Sequence, residues 1–332
     1  MGWWQVNADT LAGSRFVISP LAEAMASLKL LEQGVGGNPA DRAWLDVHLP
    51  EYQRHLDADP ITTLLVRAAI GSKWNATFIT PTPTLVSEPT FAQELAHIRE
   101  TPAQTALDDL AMSLGGPLPT ELRRSDLAER AADLLEWTWT TAVLPYWPQR
   151  RRIAEADIVA RTAQLSQGGW AAALDDMRPG MRWLGRSRLQ ITAHDYPPLE
   201  LTGANLMFVP VTPCQSWVSW DTSPIRGSSH SQHRYAVIYP CSGVLAEAGR
   251  TSAPTALARL LGPMRAGVLV LLDTPKTTTQ LVTLTNQGLG SVGRHLKVLF
   301  DAQLIQRRRT GRSVLYFRTD AGEVLVRAQP DT

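Results

Sequence analysis

Between residues 288 and 302, apolar side chains recur at Leu289, Val292, Leu296, Leu299 and Phe300, the 3.6-residue spacing that gathers them on one side of a helix. The other side carries Gly290, Arg294 and Lys297, flanked by Ser291 and Gly293, so it is polar, basic and low in bulk. Three shorter helical patterns precede it. Pro254 suits a first turn ahead of Leu257, Leu260 and Leu261. Gly262 breaks that helix and Pro263 opens the next, which runs through Val268, Leu269, Leu271 and Leu272 to a stop at Asp273-Thr274-Pro275. Thr277 and Gln280 stand at capping-box spacing and start a helix that ends near Thr285-Asn286. Beyond residue 302 strands are predicted over 304–309 and 313–318, where Val314 and Tyr316 favour extended backbone, with Thr310-Gly311 as the hairpin turn. Asp320 with Glu323 can cap a last short helix through Ala328.

The pattern before residue 245 is mainly helical. Ser19-Pro20 opens a helix whose stripe is Leu21, Ala24, Met25, Leu28 and Leu31, ending before Gly34. Further helices are predicted over 39–47, 61–69, 90–99, 122–144 and 151–167. Strands are predicted over 3–7, 188–193, 206–211 and 235–239, and loops at Thr80-Pro81-Thr82-Pro83-Thr84 and Gly115-Gly116-Pro117. Arg150-Arg151-Arg152, at a helix start, reads as a solvated face, with DNA contact as the alternative.

Helices followed by a hairpin with a basic tip is the order of a winged helix. Four strings carry a more specific likeness: Gly262-Pro263-Met264-Arg265; Ser291-Val292-Gly293-Arg294-His295-Leu296-Lys297-Val298-Leu299; Asp301-Ala302-Gln303-Leu304-Ile305; and Arg309-Thr310-Gly311-Arg312. Together they resemble the ArsR-type winged helix-turn-helix transcriptional regulators. Phe16-Val17-Ile18-Ser19-Pro20-Leu21, Phe78-Ile79-Thr80-Pro81, Gly168-Gly169-Trp170 and Tyr239-Pro240 extend the resemblance to a longer branch with a poorly characterised N-terminal domain. The fold class expected is α+β and mainly α. A helical N-terminal domain with a small β-sheet, 1–245, precedes a C-terminal winged helix-turn-helix, 246–332.

Charge sharpens this division. From Ala246 onward there are twelve Lys/Arg against six Asp/Glu, and before it twenty against twenty-five; all eleven tryptophans precede residue 221. A small basic module thus follows a larger, mildly acidic, Trp-rich one, and basic charge on a compact module fits a polyanion partner. Arg294 is the best placed for a bidentate contact to guanine, with Gly290 beside it on the groove-facing side. Ser291 can reach a base or a phosphate, whereas His295, Lys297, Thr278 and Thr279 suit phosphates. Arg308, Arg309 and Arg312 belong along the backbone or in the minor groove, on a hairpin also bearing Arg307 and Arg318. The bland reading of the same charges is a solvated surface used for protein contacts. Where ArsR-type relatives carry polar side chains this chain has Gly288, Gly290 and Gly293, so specificity is expected to lean on Arg294 and DNA shape.

The metal chemistry of the family is not expected. The helix before the reading helix, Thr277 to Leu284, holds no Cys-x-Cys, and the C-terminal helix lacks paired His and acidic ligands. His230 and His233, with Cys214 and Cys241, raise zinc as an alternative, but 227–233 reads as an exposed mobile loop. The two cysteines are expected as reduced thiols. No P-loop, Gly-x-Ser-x-Gly, His-Glu-x-x-His or dinucleotide fingerprint is present, and Gly34-Val35-Gly36-Gly37 follows a helix rather than a strand, so no enzyme and no cofactor are expected. No run approaches the roughly 18 apolar residues of a membrane span, and the start Met1-Gly2-Trp3-Trp4 lacks signal-peptide features, so a cytoplasmic location without membrane contact is expected. Trp74, Trp137, Trp139, Trp147, Trp170 and Trp183 are candidates for an effector pocket, and core packing accounts for them equally well.

The leading expectation is a homodimeric repressor on an inverted-repeat operator of double-stranded DNA, switched through its N-terminal domain by a small molecule or other signal. A ligand-independent autoregulatory or architectural DNA binder is the second reading. An enzyme tethered to a DNA-binding module is the third.

Overall fold

A computed structural model describes residues 2–71, 74–84, 88–175, 177–192, 197–221, 233–241, 254–272, 275–285, 287–310 and 313–328. The chain divides into two compact units, one of residues 1–154 with 161–241, the other of 155–160 with 242–332. The structure is mixed α and β, mostly helical with small sheets. No helix among the described residues is long and apolar enough to cross a membrane.

In the first unit β1 (Gly2–Gln5), α1 (Ala8–Gly13) and β2 (Arg15–Phe16) lead into α2 (Pro20–Gln33). Ser19 caps α2, accepting the Ala22 amide proton, and Gly34 ends it in the left-handed region at φ 65°. Every residue from Pro20 to Leu31 is buried, so α2 is a core helix rather than the one-striped helix its pattern suggests. Around it stand α3 (Pro39–Asp57), α4 (Pro60–Ala69), α5 (Phe91–Arg99), α6 (Ala103–Leu114) and α7 (Leu127–Thr138).

Two helices depart from expectation. α3 does not stop near residue 47 but continues through Pro50, because Trp44, Leu45, His48, Tyr52 and Leu56 all bury on one side. That packing outweighs the roughly 3 kcal/mol a proline costs inside a helix. The single helix expected over 122–144 is instead a 3₁₀ turn at Thr120–Leu122, α7, a π-helical turn at Trp139–Val143 and a further 3₁₀ turn at Leu144–Tyr146. Pro145 cannot continue a regular ladder, and the wide turn lets Trp139, Ala142 and Val143 all stay buried. Next comes α8 (Trp147–Leu174), interrupted at Gly169, whose φ of 69° only glycine adopts readily.

The strands after α8 are β3 (Arg182–Gly185), β4 (Arg188–Thr192), β5 (Leu199–Glu200), β6 (Asn205–Val211), β7 (Trp217–Asp221) and β8 (Arg234–Pro240). They form two sheets, ordered β3-β4-β1-β5 and β2-β6-β8-β7. In the second, β2, β6 and β8 are parallel and β7 is antiparallel. Alternate residues of β6 and β8 feed two cores. Met207, Val209, Val211, Ala236 and Ile238 join the helical core, while Leu206, Phe208, Tyr235, Val237 and Tyr239 pack with Trp4, Leu174, Met177 and Leu189. Burial on both faces explains why these strands read as unbroken apolar runs.

The second unit contains α9 (Thr255–Leu261), α10 (Pro263–Leu271), β9 (Lys276–Thr277), α11 (Thr278–Thr285), α12 (Leu289–Asp301), β10 (Ile305–Thr310), β11 (Ser313–Arg318) and α13 (Asp320–Arg327). The capping box forms as its spacing implies: the Thr277 amide donates to Gln280 Oε1 (2.7 Å) and the Gln280 amide to Thr277 Oγ1 (3.2 Å). β9, a strand the sequence pattern does not announce, pairs with β11 and gives the sheet order β10-β11-β9. α13 is capped by Thr319, which accepts the Gly322 amide proton, and not by Asp320. Its first turn lies so close to the chain before β10 that a Cβ on Gly322 would stand 2.1 Å from the Leu304 carbonyl oxygen. Gly322→Ala is therefore expected to destabilise this unit by about 1–3 kcal/mol, measured by chemical denaturation followed at far-UV wavelengths. An unchanged midpoint would show that α13 shifts freely.

Candidate functional site

α12 turns its apolar stripe inward: Val292, Leu296 and Leu299 are buried. The same geometry leaves Gly290, Gly293, Arg294 and Lys297 exposed, with Ser291 and His295 half-buried between the two sides. The Ser291 hydroxyl donates to Gln287 Oε1 (2.8 Å) and lies 3.4 Å from His295 Nε2, so this edge of the helix is a small polar chain. Thr278 and Thr279 occupy the first turn of α11, Thr278 half-buried.

The hairpin continues the basic surface. Arg307, Arg308 and Arg309 are exposed on β10, and the Arg307 guanidinium lies over the Phe300 ring at 5.0 Å, joining the strand to the end of α12. Arg294, Lys297 and Arg308 form no ion pair among the described residues. Gly311 and Arg312, at the hairpin tip, lie outside the described residues. Arg318 departs from the group: only 9% exposed, it donates from Nε to the Leu272 carbonyl (3.0 Å) and approaches Glu323 at 3.2 Å. It anchors the hairpin to the helices instead of facing outward.

The first unit holds a buried polar cluster that the sequence pattern did not single out. Glu23 on α2 (3% exposed) accepts from Arg150 Nη1 at 2.8 Å, from the Thr212 amide at 2.9 Å and from the Thr212 hydroxyl. Arg150 Nη1 also donates to Ser27 (2.8 Å), and its guanidinium lies over Trp44. It is thus internal, unlike the solvated residue expected in the Arg150-Arg151-Arg152 run; Arg151 pairs with Glu88. Asp41 accepts the Cys214 amide proton (3.2 Å). Burial raises the Asp41 carboxyl above its ordinary value, against the Cys214 amide and the Arg150 charge. Burial and the Asp41 charge push the Cys214 thiol up, which keeps it protonated and poorly nucleophilic at neutral pH. Desolvation lowers the buried His48, beside Trp44, with Arg150 adding to the effect. The cluster clasps α2, α3 and the start of α8 to the chain leaving β6. A helix as apolar as α2 buries any charge it carries, which was the available signal for Glu23.

Glu94 on α5 (4% exposed) accepts the Leu21 amide proton at 2.9 Å, at the start of α2. Burial pushes it up to about 7 despite this bond and one from Ser19. The folded protein then holds a proton that the unfolded chain releases from about pH 4.5. Stability is accordingly full below that value and falls as pH rises through 7, by about 3 kcal/mol. Glu94→Gln is expected to flatten this pH 4.5–7 dependence; an identical slope in both proteins excludes Glu94 as its source.

The six candidate tryptophans do not gather into one pocket. Trp139 stacks on Phe91 (4.7 Å) and meets Trp147 edge-on (5.2 Å), and Trp137 stacks on His55 (4.5 Å). Trp170 packs on Phe208, Trp183 on the second core, and Trp74 against Trp220. A cleft of 430 Å³ lined by Gln104, Leu107, Asp108, Leu118 and Arg123 contains none of them. Cys214 is exposed, Cys241 buried and His233 exposed, while His230 and the rest of 227–232 lie outside the described residues.

No family model, curated protein or solved structure matches the chain.

Proposed function

We propose that the second unit is a winged helix-turn-helix of the ArsR type and that the protein is a DNA-binding transcriptional regulator. α12 is its reading helix, α11 the supporting helix and the β10–β11 hairpin the wing. The observation that carries this reading is the alignment of exposed cations without ion-pair partners, Arg294 and Lys297 on α12 and Arg308 on β10, around a helix face with little bulk. Strand β9, set between the second and third helices and paired to the hairpin, adds a topological reason for it. Arg294 reads base edges, Ser291 a base or phosphate, and Lys297, His295, Thr278 and the β10 arginines hold the backbone. The protein acts as a cytoplasmic dimer on an inverted repeat, and the first unit is the input through which a signal changes DNA affinity.

The test is fluorescence anisotropy with duplexes from the DNA upstream of the protein's own coding sequence, at about 50 and 200 mM salt. Binding that weakens steeply with salt and exceeds that of shuffled duplexes supports the reading. Loss of the complex on adding cell extract supports a small-molecule input. No binding to any duplex at the lower salt sinks the proposal.

A further inference from the structure

By its spacing Leu289 belongs to the apolar stripe of α12, yet it is 63% exposed where Val292, Leu296 and Leu299 are buried. Phe300, another exposed member of the stripe, has the Arg307 guanidinium over its ring. Leu289 instead has glycine on both sides in the chain, Gly288 and Gly290, and a third glycine, Gly293, one turn on. At 3.6 residues per turn, Leu289 and Arg294 stand about 140° apart around the helix, with Gly290 and Gly293 between them. All four are exposed. A Cβ on either of these two glycines would meet nothing within 4 Å, so the middle of this face is bare backbone with open space before it. The first half of the exposed face therefore presents an isobutyl group on one flank and a guanidinium on the other.

An isobutyl group held in water gains from any apolar surface that covers it. The cations nearby, Arg294 and Lys297 on α12 and Arg307, Arg308 and Arg309 on β10, select the partner. An apolar protein surface would have to strip water from these charges without repaying them, whereas a duplex pairs them with phosphates. On the major-groove edge of a duplex, the apolar group is the thymine 5-methyl. The glycine floor lets the backbone descend until both flanking side chains reach base edges. Five residues at 1.5 Å rise set Leu289 and Arg294 about 7.5 Å apart along the axis, or about two base-pair steps. Building on the DNA-binding function above, we propose that Leu289 is a specificity residue that packs on a thymine methyl, about two steps from the guanine read by Arg294.

The test uses the full-length protein, fluorescence anisotropy at about 50 mM salt, and an upstream duplex that the protein binds. The same duplex is also made with deoxyuridine for every thymidine, which deletes the 5-methyl groups and keeps every hydrogen-bonding edge. Wild type is expected to lose roughly three- to fivefold in affinity for each contacted methyl. Leu289→Ala binds the two duplexes alike, close to the wild-type affinity for the deoxyuridine form. It keeps the wild-type salt slope, because no phosphate contact is lost. Leu289→Met retains the preference for thymine, and both variants keep the wild-type denaturation midpoint, since the side chain is so exposed. Equal binding of both duplexes by wild type overturns the proposal. So does a penalty of equal size in Leu289→Ala, since DNA shape or another residue then senses the methyl. If that variant also changes the mass measured by light scattering, Leu289 lies instead between copies of the chain. Absence of binding to any duplex is a different failure: it removes the DNA-binding function first, and this inference with it.

Discussion

Arg150→Met is expected to cost the N-terminal unit about 3–5 kcal/mol, the toll of leaving a buried carboxylate without its cation. Glu23 is 3% exposed and Arg150 11%, so water cannot replace the missing guanidinium. The two Thr212 donors remain, but they are dipoles and do not neutralise the charge. Asp41 responds too, because the Arg150 charge is one of the influences pulling its carboxyl down. Removing that charge moves the Asp41 carboxyl further toward protonation, so the loss is larger at pH 8 than at pH 5. Denaturant titrations at the two values measure it. The double variant Glu23→Leu/Arg150→Met separates net contribution from penalty: apolar replacements of similar size often recover most of such a loss. A single-variant loss below about 1 kcal/mol, typical of exposed pairs, would mean that water reaches Glu23.

The second large effect concerns DNA. Arg294→Ala is expected to reduce discrimination between operator and shuffled DNA roughly ten- to hundredfold, the range for losing one bidentate base contact. Arg308→Ala serves as the contrast. A phosphate contact carries no sequence information, so its loss weakens both duplexes alike and lowers the salt dependence by about one unit of slope. Opposite phenotypes at two exposed arginines distinguish a reading surface from general basicity. Full discrimination retained by Arg294→Ala would place base readout elsewhere.

How much of this was legible in the sequence differs by element. α12 and its outward cations follow directly from a 3.6-residue stripe, since a helix buried along Val292, Leu296 and Leu299 has nowhere to put Arg294 but outside. The Thr277–Gln280 box is equally local and forms as expected. β9 is two residues long and owes its existence to Leu315 and Tyr316, some forty residues away, so no local pattern could declare it. Arg318 and Arg150 each sit among similar arginines. What turns one of the group inward is a distant partner, the Leu272 carbonyl in one case and Glu23 in the other. Pro50 and the π-helical turn show tertiary burial overruling local preference. The Trp set failed as a pocket signal because large aromatic side chains fill cores and line cavities with the same chemistry.

Gly290 and Gly293 have open space around them: a Cβ at either would meet nothing within 4 Å. No packing demand excludes alanine, yet each glycine leaves the helix about 1 kcal/mol short of what alanine gives. A surface held below its attainable order must be frozen when a partner engages it, and that entropy is charged against the lifetime of the complex. Gly290→Ala/Gly293→Ala would stiffen α12 in advance. On the proposed function, the native glycines shorten residence on DNA, favouring rapid exchange between bound and free states over tight occupancy.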